Sequence, residues 1–227
     1  MVVRHERKYR IEGSSPEAVK AVLASHVLSF RTLHPDRRVN SIYLDTADLE
    51  CYVDTLFGVK DRAKFRIRWY GEIGDRIEQP VLEVKCKSGE LGWKHLRKLE
   101  PLIFGAGLER QISQQLHKIA WAVDAPGYQS TFMALPEMRP TLLVSYRRSY
   151  LASYDEVYRL TIDSDMQFRA MEGRINPGLP QQDHAVIVEV KYPLEKDAEF
   201  DRVSQNLPFR IGKNSKYVTG MLLVGDV

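Results

Sequence analysis

The chain has 227 residues, 44% of them hydrophobic and 28% charged, with a net charge of +3. That is enough apolar material for one sizeable core, with none of the global basicity that marks nucleic-acid or membrane binding. Two cysteines, Cys51 and Cys86, are too few and too widely spaced for a metal cluster and read as reduced thiols. The opening MVVRHERKYR has no signal-peptide core, and no apolar run reaches the ~20 residues a membrane span needs. The expected location is the cytoplasm, with no membrane segment.

No internal repeat or long linker divides the chain, so one domain is expected over 1–227. Residues 3–11 read as a strand. Ser14 and Glu17 have capping-box spacing, with Pro16 just inside a helix whose apolar stripe is Val19, Val22, Leu23 and Val27. A strand is expected at 38–44. Thr46 then caps a short helix with Leu49, Tyr52, Val53 and Leu56 facing inward, closed by Gly58. Strands follow at 60–71, 80–87 and 93–100. A helix is expected over 107–124, with Leu108, Ile112, Leu116, Ile119 and Val123 at helical spacing. Further strands fall at 141–149, 156–163, 166–170 and 184–192, with a loop at 172–184. A helix near 196–206 and a short one after Asn214 end the chain. Strands outnumber helices without βαβ alternation, which points to an α+β fold: an antiparallel sheet with helices packed outside it.

The chemistry lies in the alternation. Lys60, Arg62, Lys64, Arg66 and Arg68 take every second position, and Ala63, Phe65, Ile67 and Trp69 take the others. One face of that strand is therefore cationic and the other largely apolar. Glu83, Lys85 and Lys87 share a face against Leu82, Val84 and Cys86. Glu189 and Lys191 oppose Val186, Val188 and Val190; Arg159, Thr161 and Asp163 oppose Leu160 and Ile162. Arg4, Glu6, Lys8 and Arg10 share a face, as do Tyr146 and Arg148. An ordinary half-exposed sheet also places polar residues outward. Here, however, the polar positions are mostly Arg and Lys, and three strands place Glu two residues before Lys.

A sheet whose cationic faces turn inward requires an anion, because buried charge is costly unless paired. Closely spaced phosphate oxygens are the complement: Arg offers a fork and Lys a point charge. Glu6, Glu83 and Glu189 supply the hard oxygens that hold Mn²⁺ or Mg²⁺ against phosphate. No glycine-rich phosphate loop and no paired-histidine zinc motif occurs, so side chains would do the binding. An RNA-binding platform would carry aromatics on the cationic face, whereas Phe65 and Trp69 fall opposite.

The motifs E-R-K-Y (6–9), S-I-Y-L-D-T (41–46), K-F-R-I-R-W-Y-G (64–71), L-E-V-K (82–85), Y-R-R (146–148), V-E-V-K-Y (188–192) and N-S-K-Y-V-T-G (214–220) resemble the VTC domain, a polyphosphate polymerase family of the CYTH-like triphosphate tunnel metalloenzymes. The resemblance implies a closed antiparallel β-barrel of about eight strands forming a tunnel. It implies a metal-dependent phosphotransferase that moves the terminal phosphate of ATP or another NTP onto polyphosphate. Pyrophosphate and triphosphate are further expected ligands, and nucleic acid is not.

Carried over by motif, Lys8, Arg62, Arg66, Arg68, Lys85, Lys94, Arg148 and Arg159 would hold phosphates, with Lys191 added by alternation. Tyr146 would bond a phosphate oxygen, Ser215 and Lys216 would meet substrate at the tunnel mouth, and Glu189 would hold the metal. Hydrolytic relatives open with Glu-x-Glu-x-Lys; here Arg4 replaces the first Glu, which favours transfer over hydrolysis. Alternatives are a tripolyphosphatase or NTP hydrolase of the same fold and a non-catalytic polyphosphate-binding module. Coupling to export would require a separate membrane partner.

Overall fold

The computed structural model describes residues 4–89, 91–120, 134–171 and 179–225. In chain order the elements begin with β1 (Arg4–Ile11), α1 (Pro16–Ala24), β2 (Arg31–Asp45), α2 (Glu50–Phe57), β3 (Asp61–Tyr70), β4 (Arg76–Ile77), β5 (Val81–Ser88), β6 (Leu91–Lys98) and β7 (Leu102–Ile103). They continue with α3 (Leu108–Ala120), β8 (Arg139–Ala152), β9 (Arg159–Ala170), β10 (Gln181–Asp183), β11 (Val186–Pro193), α4 (Asp197–Gln205) and α5 (Lys216–Val224). The main sheet runs β1-β11-β9-β8-β2-β3-β5-β6, with β10 on β9; β4 and β7 form a small second sheet. Among the described residues no pairing closes the main sheet into a barrel. No described helix is long and apolar enough to cross a membrane.

The described residues gather into two compact units. One comprises Met1–Arg38, Tyr146–Gln167 and Gln182–Ser215, the other Val39–Ser145, Phe168–Gln181 and Lys216–Val227. In the first unit, alternation along β1, β11 and β9 turns Tyr9, Val188, Val190, Leu160 and Ile162 to one side. There they pack with Val19 and Leu23 of α1 and Phe200 and Val203 of α4. That side excludes water because helices cover it, which leaves Glu6, Lys8, Glu189 and Lys191 on the opposite face. In the second unit, Ile42 and Leu44 of β2 lie in register with Ile67 and Phe65 of β3, which pair onward with Leu82 and Val84 of β5. All six are buried.

Several expected boundaries shift. Ser15 rather than Ser14 caps α1, its hydroxyl accepting from Ala18 N at 3.1 Å. The helix stops at Ala24, so Val27 is 76% exposed rather than part of the stripe. In α2 the buried residues are Cys51 and Tyr52, while Val53 and Leu56 face solvent. Gly58 closes this helix with φ +70, as its lack of Cβ allows. The strands expected at 156–163 and 166–170 are one strand, β9, which passes through Asp165 at φ +50. Aspartate tolerates that conformation, so a turn-like Ser-Asp pair bends the strand without ending it. Residues 181–183 of the expected loop form β10, which pairs with β9, and Asp183 there takes a two-pronged hydrogen bond from Arg10 at 2.6 and 2.9 Å. The rest of that loop at 172–178, and the expected helix extension through Val123, lie outside the described residues.

Candidate phosphate site

In the second unit, antiparallel register stacks the cationic positions across strands. Arg66 lies opposite Glu83, Lys64 opposite Lys85, and Arg62 opposite Lys87. Lys85 lies opposite Lys94, and Val81 opposite Lys98. This face of β3, β5 and β6 therefore carries Arg62, Lys64, Arg66, Arg68, Lys85, Lys87, Lys94 and Lys98, with Glu83 as the one carboxylate among these described positions. Glu83 is buried and receives Arg66 Nε at 2.6 Å, Lys94 Nζ at 2.9 Å and Arg68 Nη1 at 3.5 Å. Burial alone would raise its pKa, but the three cations outweigh that and hold it at about 2. Lys94 is lowered, first by burial and then by Arg66 and Arg68, with Glu83 opposing.

The adjoining strand β2 contributes hydroxyls and a carboxylate. Tyr43 lies opposite Arg66 and Ser41 opposite Arg68. Arg66 Nη1 donates to the Tyr43 hydroxyl at 3.3 Å. Asp45, two residues on, instead accepts from Cys51 N and Tyr52 N at 2.9 Å each, fixing the start of α2, and from the Tyr217 hydroxyl at 2.6 Å. Asp45 thus serves the fold.

The first unit holds a second charged cluster. Lys8 lies 2.8 Å from Glu6 and 3.7 Å from Glu189; Lys191 lies 2.5 Å from Glu189 and 3.9 Å from Glu6. Two carboxylates thus converge on shared cation positions. Burial opposes ionisation of Glu189, yet Lys191, Lys8 and Arg148 keep its pKa well below the usual carboxylate range. Among the described residues no group of three His, Cys, Asp or Glu side chains is placed to hold a metal. Two ionised carboxylates are nevertheless the donor set that Mg²⁺ or Mn²⁺ accepts when phosphates complete the shell. Arg148 Nε and Nη2 grip Asp163 at 2.6 and 2.7 Å, and its guanidinium lies 5.2 Å from the Tyr146 ring centroid. Asp163 is therefore an anchor for Arg148. Lys8 also donates to the carbonyl of Asn214 at 3.3 Å, immediately before Ser215.

Other residues lie at the edges of these clusters or outside them. Arg62 turns its guanidinium onto the carbonyl of Val59. Arg159 is in register with Lys191, but its side chain is 54% exposed and lies 3.8 Å from Glu156. Lys85 shares the cationic face from an exposed position. Lys216 opens α5 in the second unit, and its charge acts on Tyr43. His5 stacks on Tyr192 and His95 pairs with Val84, so neither histidine shares a face with the two clusters described above. Tyr43 was missed by the sequence reading, because its place beside Arg66 depends on the register between β2 and β3.

Comparisons with known proteins agree with this fold. No curated protein matches the sequence. A candidate adenylyl cyclase from Hippeastrum, described as having a dominant triphosphatase activity, superposes with a TM-score of 0.54 at 14% identity, over 97% of this chain and 96% of that one. A proposed adenylate cyclase from Vibrio parahaemolyticus superposes with a TM-score of 0.50 at 13% identity, over 95% and 97%. The VTC domain model matches residues 3–224, and the chain therefore belongs to the VTC domain family.

Proposed function

We propose that the chain is a metal-dependent polyphosphate polymerase that transfers the terminal phosphoryl group of an NTP, with ATP the expected donor, onto inorganic polyphosphate. The observation that supports this is the face of β3, β5 and β6, where among the described positions Glu83 is the one carboxylate beside eight Lys and Arg residues. Such a face suits a chain of phosphates, whose oxygens repeat closely enough to meet successive cations. In this proposal the whole chain works as one cytoplasmic domain, its sheet closing into a tunnel around the substrate.

Phosphoryl transfer demands positioning and charge neutralisation more than covalent chemistry. A terminal oxygen of the acceptor chain forms a bond to the γ-phosphorus as the bond from that phosphorus to the β–γ bridging oxygen breaks. The nucleoside diphosphate then leaves with that oxygen. Arg66, Arg68, Arg148 and Arg159 would clamp the transferred group, with Lys85 beside them. Lys8, Arg62, Lys94, Tyr146, Lys191, Ser215 and Lys216 would hold the rest of the chain. Glu6 and Glu189 would hold Mn²⁺ or Mg²⁺, with Glu83 a third candidate already engaged by three cations. The ion would neutralise charge on the terminal phosphates.

A second reading, a tripolyphosphatase, draws on the triphosphatase activity described for the Hippeastrum protein. Arg4 at the position of the first glutamate in hydrolytic relatives argues against it. Incubation with ATP and Mn²⁺ separates the two: acid-insoluble polymer, lost in Arg66→Ala, supports the polymerase, and free phosphate alone supports the hydrolase.

A further inference from the structure

We propose that β2 supplies a second set of phosphate contacts: the hydroxyls of Ser41 and Tyr43 donate to oxygens of the phosphoryl group that Arg66 and Arg68 hold. This rests on the phosphate-chain reading above and adds two residues that it does not include. The S-I-Y-L-D-T stretch alternates along β2, so Ser41 and Tyr43 take one face and Ile42 and Leu44 the other. Register then sets Ser41 against Arg68 and Tyr43 against Arg66.

Two features of these hydroxyls point to a ligand. Ser41 is 1% exposed, and its Oγ has no hydrogen-bond partner among the described residues. Buried hydroxyls ordinarily find partners, so an orphan beside an arginine calls for an acceptor that arrives with the substrate. Tyr43 accepts from Arg66 Nη1 at 3.3 Å, which leaves its own proton to be donated elsewhere. The Tyr43 ring is fixed against Tyr217, with centroids 4.9 Å apart and planes 9° from parallel. Asp45, the third polar residue in this phase, is taken up by the start of α2 and by Tyr217. Glu83 takes part of both guanidinium groups; beside it, arginine and hydroxyl donors together suit a tetrahedral oxyanion such as the terminal phosphoryl of a triphosphate or polyphosphate.

The test is calorimetric titration of tripolyphosphate into the full chain, in wild type, Ser41→Ala, Tyr43→Phe and a control, Tyr154→Phe, whose ring is 78% exposed. Ligand-free melting curves are taken for each. Ser41→Ala and Tyr43→Phe are each expected to weaken binding roughly 10-fold, as loss of a hydrogen bond to a charged group does, while the control binds as wild type. Ser41→Ala should leave the ligand-free Tm unchanged or higher, because it removes a hydroxyl with no partner. Wild-type affinity in both variants overturns the proposal and leaves the phosphate reading standing. A ligand-free Tm that falls in Ser41→Ala marks a structural hydroxyl and also overturns it. Failure of the wild type itself to bind removes both.

Discussion

The hydroxyl of Tyr217 donates to Oδ2 of Asp45 at 2.6 Å, joining the first turn of α5 to the end of β2. Because Asp45 also accepts the backbone N–H groups of Cys51 and Tyr52, one carboxylate ties two helices to the strand that carries Tyr43. Burial, then the charge of Asp45, pushes the Tyr217 phenol far above its ordinary pKa, so it stays a donor at any working pH. Tyr217→Phe should destabilise the protein by about 1.5–3 kcal/mol, the range for a hydrogen bond to a charged group. Urea unfolding measures this, and a midpoint equal to wild type would show the bond to be dispensable.

Gly220 in α5 predicts the reverse of ordinary helix propensity. Gly→Ala within a helix normally stabilises by about 1 kcal/mol. Here an added Cβ would collide with the side chains of Phe168 and Leu142. Overpacking of that kind costs about 1–3 kcal/mol. Gly220→Ala should therefore lower the thermal midpoint, with Thr219→Ala in the same helix as the comparison.

Acid should erode stability through Glu83. Its folded pKa of about 2 lies below the ordinary 4.5, so its contribution is fully present above about pH 4.5. It is lost as pH falls towards 2, a span worth on the order of 3 kcal/mol. Glu189, also depressed, acts in the same direction. Urea midpoints at pH 6, 4 and 3 should fall steeply in wild type. They should fall less steeply in Glu83→Gln, which starts lower because Arg66, Arg68 and Lys94 lose their shared carboxylate.

The alternation of Lys64, Arg66 and Arg68 against Phe65, Ile67 and Trp69 was legible in the sequence, because a strand's period of two needs no partner to be read. So were the helical stripe of α3 and the closing Gly58. What the strand pattern could not supply was register. That Glu83 meets Arg66, Arg68 and Lys94, or that Tyr43 stands by Arg66, depends on which residues pair between strands. The role of Asp45 was not legible either, because in the strand pattern a carboxylate beside a basic strand looks the same whether it meets a cation or the first turn of a helix. Only packing shows that α2 and α5 claim it.

Tyr43 should titrate anomalously. Burial would raise its phenol, but Arg66, Arg68 and Lys216 prevail and lower it from 10. In an absorbance titration at the phenolate wavelength, one tyrosine should ionise earlier than the others and vanish from the curve in Tyr43→Phe. Added tripolyphosphate should move that ionisation upward, because a bound anion cancels the cations that favour phenolate. An unchanged curve with saturating ligand would place the anion elsewhere.

The most direct measurement is the affinity of tripolyphosphate for wild type, Arg66→Ala and Lys94→Ala across a series of salt concentrations. If the face of β3, β5 and β6 carries the phosphate chain, wild type binds with a steep salt dependence. Each variant then binds at least about 10-fold more weakly with a shallower slope. Equal affinity and slope in all three proteins, or no binding by wild type, would contradict the account.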